Sequence, residues 1–156
     1  MSNKQAPRAD KAPAAPAPTK TSATLAGLSS PRIRVSTGMM IGGGGVSAVA
    51  SFLPWIALAD GTTLAGVQTL AGLGNLVLGT IVFVVGVFIL LRADHPKARA
   101  AAWLGLVAAM GIAAMGLFGV FQPGQYDGAK VEVGVLFSFA GGLVATMGVR
   151  GLLENR

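Results

Sequence analysis

The chain has 156 residues, 53% of them apolar and 12% charged, with a formal net charge of +6, one histidine and no cysteine. The length fits one domain, and the charged fraction is about half that of an ordinary soluble domain; a mean hydropathy of +0.66 points to a chain whose solvent is lipid. Without cysteine there is no disulfide, no thiolate nucleophile and no Cys-ligated metal site, which excludes quinone-linked or disulfide redox chemistry through a Cys-x-x-Cys pair.

Composition shifts near Thr37. Residues 1–37 hold five of the eight prolines and six basic residues, Lys4, Arg8, Lys11, Lys20, Arg32 and Arg34, against the single acid Asp10. Proline forbids continued helix, and large apolar side chains are too few to offset the entropy of ordering, so this segment reads as a disordered basic cytoplasmic tail. The rest, residues 38–156, reads as a membrane domain.

That domain contains four apolar stretches, at residues 38–58, 70–91, 100–121 and 131–149. Each is close to the ~20 residues that a helix rising 1.5 Å per residue needs to cross a ~30 Å hydrocarbon layer. Helix is required because unpaired backbone groups in lipid cost several kcal/mol each. The alternative, a closed barrel, would show an apolar/polar alternation that runs such as Ile81-Val82-Phe83-Val84-Val85 lack. The expected fold is therefore an all-α four-helix transmembrane bundle whose outer side consists of two short loops.

Lysine and arginine set the orientation. Residues 59–69 carry none and hold Asp60; residues 92–99 carry Arg92, Lys97 and Arg99 with the lone His95; residues 122–130 carry only Lys130; and the end of the chain carries Arg150 and Arg156. Eleven of the twelve basic residues thus fall on the side of the tail, which places both termini in the cytoplasm of a cell whose membrane the chain crosses four times. Trp55 and Tyr126 at the outer ends of spans one and three, and Trp103 near the inner start of span three, are expected at headgroup depth. Ala57-Leu58-Ala59 also fits a signal-peptidase site, with cleavage after Ala59; the long proline-rich segment before it and the full length of the apolar run favour an intact first span.

Glycine carries the packing signal, since 22 of the 23 glycines follow residue 37 and glycine in lipid lets backbones approach closely. Gly72, Gly79 and Gly86 recur every seven residues in span two, Gly134, Gly141 and Gly148 do so in span four, and Gly105 opens a small-residue row in span three. A seven-residue period keeps these on one stripe of a left-handed crossing, with Val82 off the stripe. Span one holds Gly42 to Gly45, and Gly38 with Gly42 forms a GxxxG. The stretch from Phe52 and Pro54 to Asp60-Gly61 resembles that from Phe121 and Pro123 to Asp127-Gly128. A parallel duplication and the chance use of ordinary turn residues both fit.

Chemistry needs polar groups at depth, and the spans offer Ser47, Ser51, Gln68, Asn75, Thr80, Ser138 and Thr146. Serine and threonine in membrane helices bond their own i−4 carbonyl or a neighbouring helix, and Asn75 reads as helix–helix glue. No ionisable residue lies mid-span, which leaves proton-coupled transport unsupported. Gly42 to Gly45 lacks the Lys-Ser/Thr of a phosphate loop, and no metal or cofactor constellation is visible. The basic tail lacks interleaved aromatics, so anionic lipid rather than nucleic acid is its expected partner.

Ser51-Phe52-Leu53-Pro54-Trp55 closing a glycine-rich first span, a glycine-containing outer loop, a second span ending in arginine, and two further spans joined by a short basic loop resemble the small four-span membrane proteins of unknown function from high-GC Gram-positive bacteria. The resemblance covers residues 38–152, implies a bacterial inner membrane, and brings no activity and no site residues. The expected role is non-enzymatic: an accessory or interaction subunit that binds membrane lipids, other membrane proteins or itself. A small channel or solute transporter lined by Asn75, Thr80, Ser138 and Thr146, and a phage-type holin, are the alternatives.

Overall fold

The computed structural model describes residues 31–92, 96–125 and 127–154. Expectations for the tail before Pro31, for His95 and for Tyr126 lie outside the described residues. Among the described residues four α-helices follow one another: α1 (Pro31–Ala50), α2 (Leu70–Leu91), α3 (Ala98–Phe121) and α4 (Val133–Glu154). α1 packs along α2 and α4, α3 packs along the same two from the other side, and α2 and α4 face each other across a diagonal with little contact. α1 and α2 run antiparallel, with Ala48 beside Gly79 and Ile41 beside Gly86.

Three of the four helical segments are long and apolar enough to cross a membrane: Leu70–Leu91, Ala98–Gly124 and Val133–Glu154. They match the second, third and fourth expected spans to within a few residues. The first expected span is corrected at both ends. Helix already runs at Pro31, seven residues before the expected start at residue 38. Residues 31–37 are therefore helical and not part of a disordered tail. Helix stops at Ala50 rather than residue 58, and α1, rich in glycine and carrying Arg32 and Arg34, is not among the segments long and apolar enough to cross.

The early stop follows from Pro54, which cannot donate a backbone bond and disfavours helix at the residue before it. The chain tightens through three i→i−3 bonds, from the Ser51, Phe52 and Leu53 amides to the Ala48, Val49 and Ala50 carbonyls, and then enters a strand. The helical class stands, and what changes is the expectation of two plain loops. β1 (Pro54–Ala57) pairs antiparallel with β2 (Thr63–Ala65) on one side and β3 (Lys130–Val131) on the other, in the order β2-β1-β3. The two connections expected as plain loops are thus stitched into a small three-stranded sheet over one end of the bundle. The register of β1 with β2 slips between Pro54 and Ile56, a bulge at Trp55.

That bulge places Trp55 in the protein. Its side chain is fully buried with Ile56, Ala71 and Val135, and its Nε1–H donates to the Ala50 carbonyl at 2.9 Å. Trp55 is thus enclosed by protein, because a bent strand folds the indole back under the sheet at one end of the bundle. Trp103, by contrast, is half exposed on α3. A second and larger apolar cluster fills the middle of the bundle around Met40, Val82, Ile89, Ile112, Val149 and Leu152. Val82, expected off the glycine stripe, is fully buried there; three residues after Gly79, it shares the same helix face.

Candidate functional site

Two features of the interior are candidates for function: the close backbone seams on either side of α1, and a polar cluster at the sheet end of those seams. The seams come first because they set the spacing. Gly43 and Gly44 are consecutive, so they point about 100° apart and serve two neighbours at once. A methyl group added at Gly43 would lie 2.5 Å from the Gly141 carbonyl and 2.6 Å from the Ala145 amide nitrogen, both on α4. One added at Gly44 would lie 2.8 Å from the Phe83 amide nitrogen on α2. From the other side, a methyl group added at Gly79 would lie 2.8 Å from the Ala48 amide nitrogen, and one added at Gly148 would lie 2.7 Å from the Met40 amide nitrogen.

The seven glycines read from the sequence as packing positions are all buried, but in three kinds of place. Gly79, Gly141 and Gly148 lie against α1 backbone. Gly86 and Gly105 lie against side chains, those of Ile41 and of Met40 and Val85. Gly72 and Gly134 lie at the sheet end, against the backbone of Gly66 and against Pro54 and Trp55. Gly42 and Gly38 face outward, with nothing near an added methyl group.

The polar cluster joins α1, α2 and α4. Asn75 sits between Gly72 and Gly79 on the inner face of α2 and is fully buried. Its Nδ2 donates to the Ser47 carbonyl at 2.7 Å and to Ser51 Oγ at 2.9 Å, while its Oδ1 accepts from Ser138 Oγ at 2.6 Å. Ser47 Oγ donates to the Ser138 carbonyl at 3.3 Å, and Ser51 Oγ donates to the Ser47 carbonyl at the same length. Ser47, Ser51 and Ser138 are fully buried as well.

The cause is the early end of α1. A helix leaves its last four carbonyls without an intrahelical partner, and in an apolar setting each must find one. The i→i−3 turns cover Ala48, Val49 and Ala50; the Ser47 carbonyl remains, and Asn75 and Ser51 occupy it. Trp55 Nε1 adds a second bond to Ala50, and the chain beyond is held by the Val67 amide on the Ser51 carbonyl at 2.7 Å. Asn75 is therefore a side-chain cap delivered from a neighbouring helix. Both of its donor hydrogens are used within the bundle and its oxygen accepts one bond.

The other polar candidates do not join it. Thr80 Oγ1 bonds the Leu76 carbonyl and Thr146 Oγ1 the Gly142 carbonyl, each at 2.8 Å and four residues back. Gln68 Oε1 accepts from the Ala65 amide at 2.8 Å beside the turn into α2. Thr80 is exposed on the outer surface of the bundle, so Asn75, Thr80, Ser138 and Thr146 do not line one path. Among the described residues, Gln122 Oε1 is the buried side-chain polar atom without a partner, and no group of three or more His, Asp or Glu is placed to hold a metal. The sequence singled out Asn75 and its serines separately. Their meeting depends on where α1 ends, for which Pro54 was the available signal. In comparisons with known proteins the chain matches no family model, no curated protein and no solved structure.

Proposed function

We propose that the chain is a four-span integral protein of a bacterial inner membrane, with both termini cytoplasmic, that acts without catalysis as an accessory subunit binding other membrane proteins or lipids. For the fourth span the support is position. α1 lies against α2 and α4 from Ser36, beside Gly148 and Gly151, to Ser47, beside Ser138 and Asn75; an element packed along the length of two spanning helices shares their depth. For the orientation the support is the placement of eleven of twelve basic residues on one side.

The observation that carries the role is the contrast between interior and exterior. Inside, polar side chains bond one another or their own helix, and backbones touch. Outside, large apolar side chains such as Val49, Val107, Met110, Phe118 and Leu136 are more than half exposed, a surface that only lipid or another membrane protein can cover.

Mild-detergent purification of the tagged protein from its native membrane, with mass spectrometry of co-purifying proteins and lipids, tests the role. The expected result is a protein partner in fixed ratio or a lipid enriched over the bulk membrane. Recovery alone, with lipids in bulk proportion, overturns it. For the orientation, a membrane-impermeant thiol reagent on intact cells is expected to label Thr63→Cys and not Ser22→Cys.

A further inference from the structure

Along the outside of α1 runs a furrow that the bundle itself does not fill. Three hollows follow one another up the helix. The first, of about 350 Å³, is formed by Pro31, Arg32, Val35 and Ser36. The second, of about 380 Å³, opens between α1 and α4, with Gly38, Gly42 and Val46 on one wall and Ala140 and Val144 on the other. The third, of about 400 Å³, continues from Val46 past Val49 to Leu53 and Phe137. Glycine makes the middle hollow, because a methyl group at Gly38 or Gly42 would meet nothing within 4 Å.

We infer that the lower part of this furrow is a binding site for one anionic phospholipid, its headgroup at Arg32 and one acyl chain laid between α1 and α4 over Gly38 and Gly42. The inference rests on the membrane reading above and names the lipid class. Length supports it: from Arg32 to Gly42 is ten residues, or about 15 Å of helix, which is half of a ~30 Å hydrocarbon layer and so one leaflet. Charge supports it as well. The second and third hollows are walled by apolar side chains and bare helix backbone, and the first holds a guanidinium at the end that reaches headgroup depth, a complement to a lipid phosphate with its tail.

Charge also separates this occupant from a second copy of the chain. Two copies in one membrane related by a two-fold axis along its normal would bring α1 against α1 in parallel, with Arg32 beside Arg32. Like charges at the membrane edge oppose that arrangement, whereas an anionic headgroup is drawn to the same place.

The test is native mass spectrometry of the full chain released from vesicles of equal phosphatidylglycerol and phosphatidylcholine. The expected result is a one-to-one adduct favouring phosphatidylglycerol about fivefold, the effect of one basic side chain at an anionic surface. Arg32→Gln should bring that preference to near one. Gly42→Leu, whose Cβ meets nothing within 4 Å, should abolish the adduct, whereas Val107→Leu on the exposed face of α3 should leave it intact. Equal retention of both lipids by the unaltered chain, or an adduct indifferent to Gly42→Leu, overturns the site. So does disulfide cross-linking of Gly42→Cys between two copies. A protein partner recovered from native membranes together with any of these outcomes would leave the interaction role standing while the lipid site fell; loss of both would remove both.

Discussion

The two seams flanking α1 differ in kind from the seam between α2 and α3. Against α1 the contacts are backbone to backbone: Gly43 with Gly141 and Ala145, Gly44 with Gly79 and Phe83, Gly148 with Met40. Between α2 and α3 the glycines face side-chain ends, Gly111 the Leu78 Cδ1 and Gly74 the Met115 Cε, the latter 3.5 Å from an added methyl group. Glycine thus does two jobs in one bundle. On one seam it removes the only atoms that would keep two helices apart, and on the other it receives a flexible side chain that has other rotamers to adopt. Glycine count alone does not distinguish them.

The largest expected effect breaks the tighter seam. Gly141→Leu would drive a side chain into the Gly43 carbonyl and Ser47, and neither backbone can move without lifting α1 off α4. A loss of about 3 kcal/mol or more is expected, at the upper end of what overpacking costs. Gly111→Leu should cost about 1 kcal/mol, because Leu78 can turn aside. Val84→Leu, on the exposed face of α2, should stay within about 0.5 kcal/mol. Thermal melting in detergent ranks the three, and equal losses at Gly141 and Gly111 would erase the distinction between the seams.

A smaller effect sharpens the comparison by separating shape from hydrogen bonding on the same seam. Asn75→Ala keeps the glycines but leaves the Ser47 carbonyl with a single serine bond and Ser138 Oγ without its acceptor. The expected loss is about 1–3 kcal/mol, the range for a buried polar group deprived of its partner. The accompanying sign is local: amide exchange at Ser51 and Phe52, at the frayed end of α1, should rise more than exchange in the middle of α3. Uniform loosening of all four helices would mean that Asn75 acts as general packing and not as a cap for α1.

How far this was legible in the sequence follows from the same residues. The spans of α2, α3 and α4 could be read because hydropathy over some 20 residues is a strong signal, and Asn75 stood out as the one amide in an apolar run. The helical state of residues 31–37 was hidden because Pro31, Arg32 and Arg34 have the composition of a tail. The end of α1 was hidden because Trp55 and Ile56 are as apolar as a lipid-facing pair, so hydropathy runs on past Ala50 into a strand. Strands of two to four residues show too little alternation to be recognised. Val82 was misplaced because a seven-residue stripe names only one edge of a buried face, whereas a helix between two neighbours buries a wider arc. The likeness between the segments after Phe52 and after Phe121 stops at the turn glycines. Gly61 and Gly128 both take positive φ, of 85° and 70°, but Pro54 enters a strand and Pro123 a 3₁₀ turn.

The smallest expected effect lies outside both seams, in the turn that carries the chain from β1 to β2. Asp60 Oδ1 accepts from the Thr62 amide at 2.9 Å and from Thr62 Oγ1 at 2.7 Å, with Gly61 between them in the left-handed region. The backbone bond first, and the hydroxyl bond after it, hold the exposed Asp60 carboxyl below its ordinary value of 3.8. A carboxyl depressed in the folded state stabilises at pH above the unfolded value and ceases to do so as pH falls through the depressed one. Protection of the Thr62 amide from exchange should therefore be constant from pH 7 to about pH 5 and fall only in the acid range below about 4. In Asp60→Ala that protection should be low throughout and show no acid step. The seams contain no group that titrates there, so the detergent melting temperature should not follow the Thr62 curve. If it does, the sheet end governs the stability of α1, and the backbone seams are not what hold that helix in place.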